Sequence, residues 1–95
     1  MIEPTRVAGE DRGRILLYTL STCVWCRMTK RFFDSLGVAY EYIDVDLLDH
    51  QQREEALHDL RRWNPSTSYP TIVIRDERVI VGMKEDEIRK ALDDA

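Results

Sequence analysis

The stretch Ser21-Thr22-Cys23-Val24-Trp25-Cys26 holds both cysteines of the chain, three positions apart. Thiols at that separation lie close to one helical turn from each other, so one sulfur can attack a bond formed at the other. The chemistry this permits is thiol–disulfide exchange, and it needs a thiolate, because the protonated sulfur is a poor nucleophile. The flanking residues supply the means to form one. Ile15-Leu16-Leu17-Tyr18 is a short apolar run suited to a buried strand, and Ser21 and Thr22 are residue types that cap helices. Cys23 then falls among the first helical residues. Backbone N–H groups without intrahelical partners and the positive end of the helix dipole favour an anion there. The expected roles are Cys23 as attacking thiolate and Cys26 as the sulfur that resolves a mixed disulfide.

The elements that must position this pair are legible in outline. Residues 1–13 mix charge with Pro4, Gly9 and Gly13 and lack periodicity, so they read as a flexible N-terminal arm, able at most to add a short strand. The domain proper is expected over residues 14–95. Arg14 to Leu20 is the first strand, apolar enough to be covered on both faces. From Val24 to Leu36, Met28, Phe32 and Leu36 recur every fourth position beside a stripe of Cys26 and Phe33, which predicts a helix packed on a sheet. Gly37 ends it, since glycine takes the left-handed conformation at little cost.

Val38 to Val45 is rich in β-branched and aromatic residues and predicts a strand parallel to the first, through a right-handed crossover. Asp49 is placed to cap a second helix with Ala56, Leu57 and Leu60 on its apolar face, and Asn64 before Pro65 stops it. Thr71 to Ile74 and Val79 to Val81 form a hairpin whose turn, lacking glycine, has no assignable type. Glu85 to Leu92 is a final helix with acids early and bases late. The expected order is β-α-β-α-β-β-α, an α/β fold with a mixed four-stranded sheet and three helices.

Bulk properties remove several classes of function. With 95 residues the chain is one domain, and a net charge of -4 with a pI near 5.1 gives no broad attraction for nucleic acid or anionic membrane. No stretch approaches the roughly 20 apolar residues of a membrane span, and no secretory cleavage pattern follows Ile15 to Leu20. The expected setting is therefore the cytoplasm, where thiols are kept reduced and a purely structural disulfide is disfavoured. Catalytic or metal-binding use of the cysteines is left. Zinc needs about four ligands; His50 and His58 sit on the second helix without a further cysteine pair, and read as solvated residues. The expected metal content is none.

A Cys-x-x-Cys motif following the first strand of this topology resembles the thioredoxin superfamily, and the short length resembles its glutaredoxin branch. Tyr18 through Cys26 is similar to the family's Tyr-Thr-x-x-x-Cys-x-x-Cys start. Ser68-Tyr69-Pro70-Thr71 is similar to its Thr-Val-Pro segment, and Val81-Gly82 to its Gly-Gly. The resemblance spans about residues 14–92. It implies a thioredoxin-like fold, dithiol–disulfide oxidoreductase activity through Cys23 and Cys26, and a cis peptide bond at Tyr69-Pro70 that leaves the Tyr69 backbone free to pair with an extended substrate. It also implies substrate contacts from Thr22, Val24, Trp25, Ser68, Tyr69, Pro70, Gly82 and Met83, with the Trp25 ring partly exposed toward the partner.

Leu20, Val24-Trp25 and Val81-Gly82-Met83-Lys84 occupy places where glutathione-dependent glutaredoxins usually carry lysine, Pro-Tyr and Gly-Gly followed by an acid. Leucine cannot bond a carboxylate, and Lys84 would repel an α-ammonium. The stretch from Val81 to Ile88 is more similar to NrdH-type redoxins, which thioredoxin reductase reduces, while Asn64 to Ser68 is an additional loop that neither branch typically has. The implied substrates are protein disulfides, acted on by a monomer with no tightly bound cofactor beyond a redox-active Cys23–Cys26 disulfide. Thioredoxin reductase or glutathione is the electron donor. A glutathione-dependent glutaredoxin, an iron–sulfur cluster carrier and a redox-responsive binding module are the rival readings. Arg27, Lys30 and Arg31, on one helix face, are expected to be solvated.

Overall fold

A computed structural model describes residues 2–93. The segment read as a flexible arm contributes a strand, Thr5–Val7 (β1), and Ile15–Thr19 (β2) follows with all its residues buried. Next come the helix Val24–Leu36 (α1), the strand Tyr40–Asp44 (β3), and a single 3-10 turn, Val45–Leu47. The helix His50–Trp63 (α2), the strands Thr71–Ile74 (β4) and Arg78–Val81 (β5), and the helix Glu85–Asp93 (α3) complete the described chain. The sheet order is β1-β3-β2-β4-β5, with β2 and β3 parallel and the other pairs antiparallel. The expected α/β architecture holds, with a sheet of five strands where four were expected.

The additional strand pairs Thr5, Arg6 and Val7 with Tyr42, Glu41 and Tyr40. Backbone bonds extend the docking, from Glu10 N–H to Gly37 O at 2.8 Å and from Ala39 N–H to Glu10 O at 2.8 Å. Gly9 makes this approach possible, because a Cβ there would lie 2.5 Å from the Val38 carbonyl carbon. Part of the supposed loose arm is therefore the sheet's edge.

Alternation along β2 divides the interior in two. Ile15 and Leu17 face a cluster with Phe32 and Phe33 of α1, Tyr40, Ile72, Ile74 and Ile80 of the sheet, and Ile88, Ala91 and Leu92 of α3. Leu16 and Tyr18 face the other side, with Ile43, Val73 and, from α2, Ala56 and Leu60. Helices on both faces explain why β2 reads as a continuous apolar run.

Local chemistry ends the helices as expected in most places. Asp49 caps α2 by accepting from Gln52 N–H at 2.8 Å, Asn64 stops it at φ -143°, and Gly37 ends α1 at φ 71°. Met28 departs from the expected inward stripe and lies exposed at 40%. Lys30 departs from the expected solvated face, since its Nζ lies 3.0 Å from Asp44 Oδ1 and 3.9 Å from the centre of the Tyr42 ring. The unassigned hairpin turn has left-handed φ at Arg75 (55°) and Asp76 (54°), the signs a type I′ turn demands. Arg75 is held there by its guanidinium, which donates to the carbonyls of Arg12, Ala91 and Leu92.

Candidate active site

The loop leaving β2 becomes α1 with Cys23 itself as the N-cap, in place of the Ser21 or Thr22 expected from the sequence. Its backbone is extended at φ -87° and ψ 119°, and its Sγ accepts from Cys26 N–H at 3.2 Å. The sulfur thus occupies the position a cap oxygen usually takes, facing amides that have no carbonyl behind them. Ser21 is occupied otherwise: its N–H donates to Asp46 Oδ1 at 2.8 Å and its hydroxyl to Asp46 Oδ2. This pair of bonds ties the cysteine loop to the 3-10 turn and holds the Asp46 carboxyl below its ordinary pKa.

The two thiols are unlike. Both are free; Cys23 is half-buried and Cys26 is fully buried. Burial, reinforced by a side-chain hydrogen bond with Cys23, pushes the Cys26 thiol up to about 12. An accessible sulfur at a helix start beside a buried, protonated one suits successive steps of exchange, the first sulfur attacking and the second waiting.

The sheet register brings a second segment to the same end. Tyr18 pairs with Thr71, so Pro70 stands at the end of β2 where the cysteine loop begins. The Tyr69-Pro70 bond is cis, and the Pro70 carbonyl accepts from Gly82 N–H at 2.8 Å, with Gly82 at φ 87°. Tyr69 is half-buried, and its phenol is pushed up chiefly by burial, with further upward effects from neighbouring Cys26 and the Asp46 carboxylate. Cys26, Tyr69, Pro70 and Gly82 therefore share one neighbourhood. Thr22, Val24, Trp25 and Ser68 are exposed; Met83 is half-buried and packs on the α1 and α3 cluster.

Several supports carried no signal in the sequence. Asn64, almost fully buried, donates from Nδ2 to Thr71 Oγ1 and Ser68 Oγ, both at 3.1 Å. Its Oδ1 accepts from Ser66 N–H and the Ser66 hydroxyl. One side chain thus shapes the loop that leads into Tyr69-Pro70. Beneath α1, Thr19 Oγ1 donates to Asp44 Oδ1 at 2.6 Å, joining the Lys30 ion pair. Asp46, Asn64 and Asp44 are ordinary polar residues in the sequence, and only the long-range geometry singles them out.

Among the described residues, no cluster of three or more His, Cys, Asp or Glu is placed to hold a metal ion, and His50 and His58 are exposed. No helix among them is long and apolar enough to cross a membrane. A cleft of about 910 Å³ between α2 and the sheet, floored by Leu16, Tyr18 and Ile43, contains neither cysteine.

This sheet order, with a cysteine pair at the start of the helix that follows the central strand, defines a thioredoxin-like protein. The glutaredoxin family profile matches residues 15–79, so the chain belongs to the glutaredoxin family. It is similar to the glutaredoxin of Methanosarcina mazei Go1, whose crystal structure is 50% identical and superposes with a TM-score of 0.89 over 95% of this chain and 87% of that one. Methanoredoxin of Methanosarcina acetivorans is also 50% identical, with a TM-score of 0.87 and 90% of each chain covered. A glutaredoxin-like 8.6 kDa protein encoded in a rubredoxin operon of Clostridium pasteurianum is 30% identical over 79 residues, which span 83% of this chain and 97% of that protein. The chain is therefore a glutaredoxin-family redox protein with its cysteine pair set close together.

Proposed function

We propose that the protein is a dithiol–disulfide oxidoreductase in which Cys23 attacks and Cys26 resolves. The observation that carries this reading is the Cys23 sulfur at the N-cap of α1, accepting from Cys26 N–H at 3.2 Å while the Cys26 thiol stays buried. The Cys23 thiolate attacks one sulfur of a substrate disulfide, forming a mixed disulfide and expelling the other sulfur as a thiolate that takes a proton. Cys26 then gives up its proton to solvent and attacks the Cys23 sulfur, breaking the mixed disulfide. The second substrate thiolate leaves, the Cys23–Cys26 disulfide forms, and two electrons have passed from protein to substrate. No group beyond the two cysteines carries the chemistry.

Protein disulfides are the substrates we favour, bound along the Tyr69 backbone at Pro70, with Thr22, Val24, Trp25, Ser68, Gly82 and Met83 around the rim. Thioredoxin reductase or glutathione returns the electrons, and comparing disulfide reduction driven by each separates the two donors. Roles within the pair are tested by single substitution. Cys26→Ser accumulates mixed disulfides detectable by mass spectrometry, and Cys23→Ser loses exchange entirely; turnover surviving in Cys23→Ser refutes the assignment.

A further inference from the structure

The first two turns of α1 present an apolar surface to solvent beside the half-buried Cys23 sulfur. Val24 is 59% exposed, Trp25 60% and Met28 40%. Spacings of three and four residues put Met28 against both of the others, so the three side chains form one contiguous patch on the helix. Side chains this large are ordinarily withdrawn from water, and a patch of them next to a reactive group marks a contact surface.

Charge says what kind of surface. Arg27 and Arg31, one turn apart on the adjoining stripe, are exposed, and neither forms an ion pair among the described residues. Lys30 differs, because Asp44 and the Tyr42 ring hold it against the sheet. Elsewhere the chain is net acidic, most densely at the start of α3 (Glu85, Asp86, Glu87), whereas on α2 Glu54, Glu55 and Asp59 are balanced by Arg53, Arg61 and Arg62. An acidic partner is repelled by the start of α3 and by the net negative charge of the rest of the chain, and drawn to the α1 end, where two uncompensated guanidinium groups flank the apolar patch.

On the reading that Cys23 attacks disulfides, we infer that the substrate is a protein whose disulfide lies beside an apolar side chain and acidic residues. The apolar side chain seats on Val24, Trp25 and Met28, and the acids meet Arg27 and Arg31. The attack itself is unchanged: the Cys23 sulfur bonds to the substrate cysteine sulfur and the second sulfur leaves as a thiolate.

The test uses synthetic peptides carrying one cysteine as a mixed disulfide with 5-thio-2-nitrobenzoate, whose release as a coloured thiolate reports the first attack by fully reduced protein. One peptide has leucine beside the cysteine with flanking Asp and Glu, a second has leucine with flanking Lys, and a third has serine with flanking Asp and Glu. At low salt the acidic leucine peptide reacts about tenfold faster than the basic one, and about 500 mM salt collapses the difference. The variant carrying Arg27→Glu and Arg31→Glu reverses the preference. Replacing leucine by serine in the peptide slows the reaction severalfold, and Trp25→Ser with Met28→Ser in the protein removes that distinction. Circular dichroism of each variant establishes that α1 is intact, as expected for exposed positions. Equal rates for acidic and basic peptides, or a preference indifferent to the arginine substitutions, overturns this inference while leaving the dithiol chemistry standing. If no peptide reacts, the redox reading itself fails and the inference falls with it.

Discussion

Cys23 as an N-cap ends the helix backbone in the way a serine hydroxyl would, while its sulfur stays half-exposed, as the proposed attacking role requires. Cys26, one turn later, is fully buried, and burial, with a side-chain hydrogen bond to Cys23, holds its proton up to about 12. This difference makes the second step pH-dependent in a definite direction. Because the Cys26 thiol is raised, its thiolate fraction is small at neutral pH and grows with pH until the raised value is reached. The collapse of a preformed Cys23 mixed disulfide to Cys23–Cys26 should therefore accelerate about tenfold per pH unit between about pH 7 and 9. Rapid-quench mass spectrometry checks this, and a flat profile would show that a neighbouring group removes the proton. The closeness of the two sulfurs was legible from the spacing Cys23-x-x-Cys26. The identity of the cap was not, because Ser21 and Thr22 are better cap formers by type and only Asp46, more than twenty positions downstream, draws Ser21 away.

At the scale of elements, α1 was bounded in the sequence by the recurrence of Phe32 and Leu36 and by Gly37, and its residues are Val24–Leu36. Met28 broke that recurrence, because in the first turns of α1 the buried positions are Cys26 and Thr29 and the Met28 side chain lies exposed. The edge strand β1 was obscured by its three-residue length and charged neighbours, and the hairpin turn by the absence of glycine. Long-range bonds from Arg75 make that turn possible, and no local pattern announces them. Asn64 organises the loop before Pro70, and Asn64→Ala should lower stability by about 1–3 kcal/mol by leaving buried polar groups around Ser68 and Thr71 unpaired. Denaturant unfolding measures the loss. Gly9→Ala should release β1, because the new Cβ collides with the Val38 backbone at 2.5 Å. Hydrogen exchange would then quicken at Ala39 while β2 stays protected, and unchanged exchange would mean that the arm docks without that close approach.

Across the whole molecule, the two clusters on opposite faces of the sheet fix β2 and, through it, the loop that carries the cysteines. The register of β4 on β2 brings Pro70 to that loop, and Gly82 bonds to Pro70 from β5's end. The meeting of Pro70 with the cysteine loop is thus a product of sheet order, legible from the expected sequence of strands and helices, while the supporting bonds of Asp46 and Asn64 stayed hidden. The central claim is that this architecture makes the two thiols unequal, with Cys23 poised and accessible and Cys26 sealed. It is tested most directly by brief alkylation of the fully reduced protein with iodoacetamide at pH 7, followed by peptide mapping. Label is expected at Cys23 at least about tenfold ahead of Cys26; equal labelling, or label arriving first at Cys26, would contradict that inequality.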